Sequence, residues 1–363
     1  MTAAGGSATV VHVVLPNDID DPSTPSGGNS YDRRICAGLA GSGWAVHEHA
    51  VRGAWPQPDG TARDEVGRVL AGLPDDAVVL LDGLVASAVP EVLVPQSHRL
   101  RLVVLVHLPL GEGAVESRAA EDEALAAAVA VITTSAWTRL RLIDLYGLPG
   151  DRIHVATPGV AEAPVAPGSA AGSELLCVAA VTPHKGHDVL TSALAAVADL
   201  RWNCLCVGAL DRDPAFVDRV RQQATAHGLR DRVRLVGART GDELDAAYAG
   251  ADLLVLASRG ETYGMVVTEA LARGIPVLAT ATNGLPEALG HAPDGSLPGI
   301  LVPPDDPATL AGALRHWLDD AGLRDQLRRS ARGRRGTLTG WAVTSALVAN
   351  VLGSALVTVG RSA

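Results

Sequence analysis

The chain has 363 residues, 47% of them apolar, which is enough for two domains that each bury a core. Its 30 Lys and Arg against 40 Asp and Glu leave a formal charge of −10, which argues against a general nucleic-acid binder. The four cysteines form no CxxC pair, so neither a disulfide scaffold nor a zinc motif is expected. They read as buried free thiols in a reducing cytoplasm.

The N-terminus lacks a basic stretch followed by an apolar core, so no signal peptide is expected. Apolar runs at Thr9–Leu15, Trp44–Val51, Ala77–Leu81, Leu100–Val106 and Ala130–Thr133 read as strands. Helical patterns at Asn29–Leu39, Glu116–Val129 and Ala136–Tyr146 lie between several of them. After the first strand comes SGGNSYDRRICAGLAGSGW, whose Gly27 and Gly28 would let backbone approach a phosphate closely. Asp82 ends the strand of LLDG, and His107 stands at the exit of the buried strand in VVLVHLPLG. Ser135 in ITTSAWT is a helix N-cap.

The stretch AEAPVAPGSAAGS, Ala161 to Ser173, has the composition of a linker. A second run of strands follows at Leu175–Val181, Asn203–Val207, Val233–Val236, Asp252–Ala257, Pro276–Thr280 and Ile300–Val302. Near-continuous Val/Leu/Ala strands separated by helices imply parallel sheets covered on both faces, hence an α/β fold. The expected division is residues 1–160, linker 161–173 and residues 174–340. In such sheets ligands bind beyond the C-terminal strand ends. The candidate residues cluster there.

In VAAVTPHKGHDVLTSAL, Lys185 and Gly186 sit between strand and helix, where an ammonium can meet a diphosphate held by backbone amides. A surface turn lysine is the plain alternative. In DLLVLASRGETYGMVVTEALARGIPVLAT, Glu261 projects from a loop closed by Gly264, and Glu269 lies one turn inside the helix that starts at Met265. Free N–H groups and the positive dipole end at that helix start favour an anion. The plain alternative pairs Glu269 with Arg273 at i, i+4 and leaves Glu261 an ordinary loop acid. ATNGLPEAL adds Asn283, Gly284 and Glu287 on the following loop and helix.

The two glutamates with their flanks resemble the E-x7-E signature of glycosyltransferase family 4, retaining enzymes of the GT-B fold. The resemblance covers nearly the whole chain and is tighter in its C-terminal half. It implies two Rossmann-like domains facing across a cleft, an acceptor domain followed by a nucleotide-sugar domain, with residues 341–363 returning as a helix to the first. Trp341 resembles a tryptophan often found in that helix. By resemblance Glu261 contacts donor-sugar hydroxyls, Glu269 holds the ribose, and the amides after Gly264 hold diphosphate. The donor set is then Gly27, Gly28, Lys185, Arg259, Glu261, Thr262, Tyr263, Gly264, Met265, Val266 and Glu269. His107 lines the reaction centre with Lys185 and Glu261, and Asp82 contacts the acceptor. The family's usual arginine, five residues before the lysine, is Ala180 here, and Arg259 is offered as compensating charge.

The implied activity is metal-independent, retaining transfer from a UDP- or GDP-linked sugar, as co-substrate and without a further cofactor, to a small acceptor in the cytoplasm. The low aromatic share, 3%, favours a small acceptor over a long polysaccharide. A GT-B sugar-nucleotide epimerase and a non-catalytic nucleotide-sugar-binding protein stay open as alternatives. A dehydrogenase or P-loop enzyme lacks its glycine fingerprint. No nucleic acid is expected as partner, and a homodimer stays open. The basic run of Arg328, Arg329, Arg332, Arg334 and Arg335 reads as a solvated helix face, with an anionic acceptor or membrane surface as the alternative. Trp341–Gly360 carries no charge; Thr344, Ser345, Asn350, Ser354 and Thr358 interrupt it at near-helical spacing, which favours an amphipathic helix over a membrane span.

Overall fold

Parallel strands need covered faces and crossover connections, and both runs of strands meet that need separately. The computed structural model describes residues 9–21, 26–112 and 115–357, which divide into two units. The first takes the N-terminal part to Gly159 together with Trp341 onward, and the second takes Val160–Gly340.

In the first unit the strands are β1 (Val10–Pro16), β2 (Ala45–Val51), β3 (Val78–Asp82), β4 (Arg101–Val106), β5 (Ala130–Thr133) and β6 (Ile153–Val155). All pair in parallel in the order β2-β1-β3-β4-β5-β6. Alternate residues face two cores. Val79, Leu81, Val104 and Val106 meet one, while Val78, Leu80, Val103 and Leu105 meet the other. The strand β6 and the Gly60–Ala71 helix add to the expected elements; the three residues of β6 are too few to show a period of their own.

The second unit holds β7 (Glu174–Val178), β8 (Asn203–Val207), β9 (Val233–Leu235), β10 (Leu253–Leu256), β11 (Val277–Thr280) and β12 (Gly299–Val302). Read outward from β9, their order is the 3-2-1-4-5-6 arrangement of a doubly wound sheet, again all parallel. The direction of winding reverses between β7 and β10, the topological position where such sheets bind ligands.

The Pro/Gly/Ala/Ser stretch is no free tether. Ala166 N–H donates to the Arg273 carbonyl at 2.9 Å, and Ser169 Oγ donates to the buried Asp252 carboxylate at 2.6 Å. Arg328 reaches both the Ser169 carbonyl (2.6 Å) and Asp252 (2.9 Å), and Arg335 reaches the Ala163 carbonyl at 3.0 Å. A segment without a ladder must satisfy its backbone elsewhere, and side chains of the second unit do so. Of the basic run, Arg328, Arg334 and Arg335 bond carbonyls and one carboxylate, while Arg329 and Arg332 are exposed.

The Trp341–Val357 helix packs in the first unit against the Gly27–Gly41 helix, with Val348 and Leu352 beside Ile35 and Leu39. Its polar residues depart from the expected pattern: Thr344 and Ser345 face inward, while Val343 and Leu347 are exposed. The reason is local. Thr344 Oγ1 donates to the Thr157 carbonyl at 2.8 Å, and Ser345 lies against Gly38, where a Cβ would fall 2.6 Å from its own Cβ. No helix among the described residues is long and apolar enough to cross a membrane; the segment beyond Val357, including Thr358, lies outside them. Because Ser345 Cβ is fixed by its backbone, Gly38→Val is expected to destabilise the first unit by about 1–3 kcal/mol through overpacking. Urea denaturation checks this, and an unchanged midpoint would show that the two helices can part freely.

Candidate active site

Each unit gathers chemistry at the C-terminal ends of its strands. In the second, the chain leaving β7 makes a 3-10 turn over Pro183–Lys185, and the chain leaving β10 runs through Ser258 to Gly264. These two segments flank the reversal point, and Arg259 N–H donates to the His184 carbonyl at 2.8 Å to join them. Gly186 must be glycine: its φ is +67°, and a Cβ would fall 1.9 Å from the Ala257 carbonyl oxygen.

The juxtaposition brings Lys185 Nζ to 2.5 Å from Glu261 Oε1, with Ser258 Oγ 3.3 Å from the same oxygen. Both side chains keep a solvent-reachable edge, 25% exposed for Lys185 and 14% for Glu261. Gly264, at φ +95°, ends the loop and opens the Met265–Ala272 helix, so the first amides of that helix have no acceptor within it. A Cβ on Gly264 would meet Leu285 at 2.5 Å. Gly284 N–H donates to the Glu261 carbonyl at 2.8 Å, which places Asn283 and Gly284 against the same loop.

Glu269 is not paired with Arg273 through its carboxylate. Its Oε2 accepts from the Tyr248 hydroxyl at 2.7 Å, and Tyr248 is fully buried. Burial, then the charge of Glu269, push that phenol far up, so it stays a donor. Arg273 instead stacks on the Tyr248 ring, 4.5 Å from its centroid, and bonds the Glu269 carbonyl and Asp245. Tyr248 is a residue the sequence reading missed; a tyrosine in an ordinary helix gives no signal until the fold brings it under Glu269.

Two members of the expected donor set behave differently from their billing. Arg259 gives both terminal nitrogens to Asp188 (2.9 and 3.0 Å) and Nε to Asp305 (2.7 Å), so its charge is neutralised within the loop framework. Those bonds lower the Asp188 pKa against the opposing effect of its partial burial. Tyr263 is 8% exposed and packs into the core, where burial raises its hydroxyl to about 12. Thr262, Met265 and Val266 stay partly exposed.

In the first unit Ser26 caps the Gly27–Gly41 helix, its Oγ accepting from Asn29 N–H at 3.0 Å. A Cβ on Gly28 would lie 3.3 Å from His107 Cδ2, so that glycine gives the imidazole its room. His107 Nε2 is 2.8 Å from Asp32 Oδ1 and 3.6 Å from Asp82 Oδ2, and both aspartates are buried. Tyr31 meets the imidazole edge-on at 5.2 Å and Trp341 at 5.5 Å, while its hydroxyl donates to the Ala156 carbonyl. Asp32 was missed in the sequence, where it reads as one more polar residue of a helix. Ser135 is the N-cap expected, accepting from Thr138 N–H at 3.0 Å.

Burial alone would lower the His107 pKa, but the charge and hydrogen bond of Asp32, helped by Asp82, raise it to about 9. Burial and then Asp32 raise Asp82 to about 7. Both groups hold protons more tightly folded than unfolded. Their contributions to stability therefore fall as pH rises, from 3.8 to about 7 for Asp82 and from 6.5 to about 9 for His107.

The fold belongs to a recognisable class. A family model for glycosyl transferases group 1 matches residues 170–334. Sucrose-phosphate synthase from Thermosynechococcus elongatus superposes with a TM-score of 0.78 at 21% identity, covering 95% of this chain and 98% of that one. Anabaena HepE in complex with UDP-glucose superposes with a TM-score of 0.76 at 19% identity, covering 95% and 99%. These likenesses establish the GT-B fold. A D-inositol 3-phosphate glycosyltransferase from Salinispora tropica is 32% identical over 65% of this chain and 53% of its own length. Its counterpart from Thermobispora bispora is 30% identical over 74% and 67%. The chain belongs to the group 1 glycosyl transferases, glycosyltransferase family 4. It spans about half to two thirds of the length of these curated relatives.

An Asp32→Asn variant removes the nearest countercharge and leaves burial opposed only by Asp82. The His107 imidazole, followed by NMR, is expected to titrate near 9 in the wild-type chain and markedly lower in the variant. An equal midpoint in both would remove Asp32 from the account.

Proposed function

We propose that the chain transfers a sugar from a nucleotide-diphosphate donor, UDP- or GDP-linked, to a small polyhydroxylated acceptor with retention of anomeric configuration. The observation that carries this reading is the meeting of Lys185 and Glu261 beside the start of the Met265–Ala272 helix, with Glu269 one turn further in. Relatives named for inositol 3-phosphate and a structural neighbour holding UDP-glucose support it.

In this reading the departing diphosphate carries the largest developing charge, and Lys185 with the amides of Met265 and Val266 stabilises it. Glu261 accepts hydroxyls of the donor sugar and is itself held by Lys185 and Ser258. Glu269, oriented by Tyr248, accepts the ribose hydroxyls. Arg259 holds the loop to Asp188 and Asp305 and does not replace the cation missing at Ala180. Gly27 and Gly28 admit the donor to the backbone, and His107 and Asp82 serve the sugar and acceptor. No further cofactor and no catalytic metal enter this scheme. A second reading, a nucleotide-sugar binder without turnover, is favoured by Ala180 alone, because one cation of the usual pair is absent.

Lys185→Ala is expected to lower kcat by about 100- to 1,000-fold, the scale of losing one preorganised charge at a developing anion. Glu261→Gln, which keeps shape while losing charge, is expected to fall similarly. Product formation from UDP- and GDP-sugars, with the new linkage read by proton NMR, checks both. Binding without transfer or slow hydrolysis would decide for the non-catalytic reading, and an interconverted sugar would decide for an epimerase.

A further inference from the structure

Three of the four cysteines converge with one histidine inside the second unit, none of them among the residues assigned to the donor. Cys177 of β7 and Cys206 of β8 are register partners, and Cys204, two residues earlier on β8, faces the same side. Cys204 Sγ and Cys206 Sγ are 3.9 Å apart. His187 opens the His187–Ala195 helix and brings Nε2 to 3.7 Å from Cys177 Sγ. The Sγ atoms of Cys177 and Cys206 and the imidazole nitrogen of His187 all lie within 4.8 Å of one another. All four side chains are 1% exposed. His187 Nδ1 is buried without a hydrogen-bond partner, so the polar contact recorded for this buried ring is that of Nε2 with the Cys177 sulfur.

We propose that this cluster is a structural site for a thiophilic divalent cation, zinc by its chemistry, ligated by Cys177, Cys206 and His187 with Cys204 as the fourth donor. The sequence alone argues against such a site, because none of the spacings is that of a zinc motif; the ligands come from two strands and a helix start. Bonds of about 2.3 Å to sulfur and 2.0–2.1 Å to nitrogen put tetrahedral donors roughly 3.3–3.8 Å apart. The 3.7 Å separation falls within that range and the 3.9 Å one just above it, while Cys204, beside Cys206 but outside the group of Cys177, Cys206 and His187, has to turn inward to complete the shell. Two sulfurs and an imidazole in one shell select zinc over the hard cations that prefer oxygen. Loading displaces the thiol protons. Three thiolates around a divalent ion leave one net negative charge, at the N-terminal end of the His187–Ala195 helix, where the helix dipole favours it. His187 follows Lys185 by two residues, so an occupied site would also fix the turn that carries Lys185.

The test uses the full chain, purified from zinc-supplemented medium, stripped with chelator and titrated with cobalt(II). The expected results are one zinc per chain and, with cobalt, the intense visible bands and thiolate charge-transfer absorption of a tetrahedral sulfur site. His187→Gln and Cys206→Ala are expected to lose both, with folding checked by circular dichroism. A folded wild-type chain that retains no zinc and gives only the pale spectrum of hydrated cobalt overturns the proposal, whatever the variants do. Neither readout depends on sugar transfer, so the two hypotheses fail separately.

Discussion

Lys185 Nζ and Glu261 Oε1 stand 2.5 Å apart, although 76 residues of chain separate them. Each is carried past the end of a different strand, β7 and β10, where the winding of the second sheet reverses. Everything proposed for the donor follows from that constraint. The sheet order fixes which strand ends are neighbours, the Ala257 carbonyl forces glycine at 186, and Gly264 turns the loop so that a helix begins beside the pair. An exposed ion pair would contribute little to stability. A partly buried one that is reachable from solvent is better understood as a positioned charge than as a fastening.

The loops around it are tied together by charges outside the proposed donor contacts. Arg259 bridges Asp188 and Asp305, joining the β7 exit, the β10 exit and the segment after β12. Arg328 and Asp252 perform the analogous task for the connecting segment. Guanidinium groups suit this work because one planar fork satisfies several acceptors at fixed angles. The site thus rests on a frame whose parts are saturated, which leaves Lys185 and Glu261 with the accessible chemistry. The first unit works differently: there a single imidazole is held between two buried carboxylates, and protons rather than fixed ions set its charge.

Much of this was legible in the sequence. Most strands of the second unit are near-continuous apolar runs with glycine or proline close by, so their existence and the placing of Lys185, Glu261 and Glu269 just after or inside the adjoining elements could be read directly. What escaped depended on contacts between distant segments. Asp32 and Tyr248 look like ordinary helix residues until the fold sets them under His107 and Glu269. Arg259 looked like spare charge because Asp188 and Asp305 lie 71 and 46 residues away. Thr344 and Ser345 looked outward-facing because polarity alone cannot reveal a carbonyl and a glycine waiting for them.

The central claim is that the second unit grips a nucleoside diphosphate, with Glu269 on the ribose. The most direct measurement is a thermal-shift series with UDP, GDP, ADP and CDP on the wild-type chain and on Glu269→Ala. The account predicts that one base stabilises the wild-type chain selectively and that the variant, equally stable without ligand, loses that response. Equal responses in both proteins would contradict it.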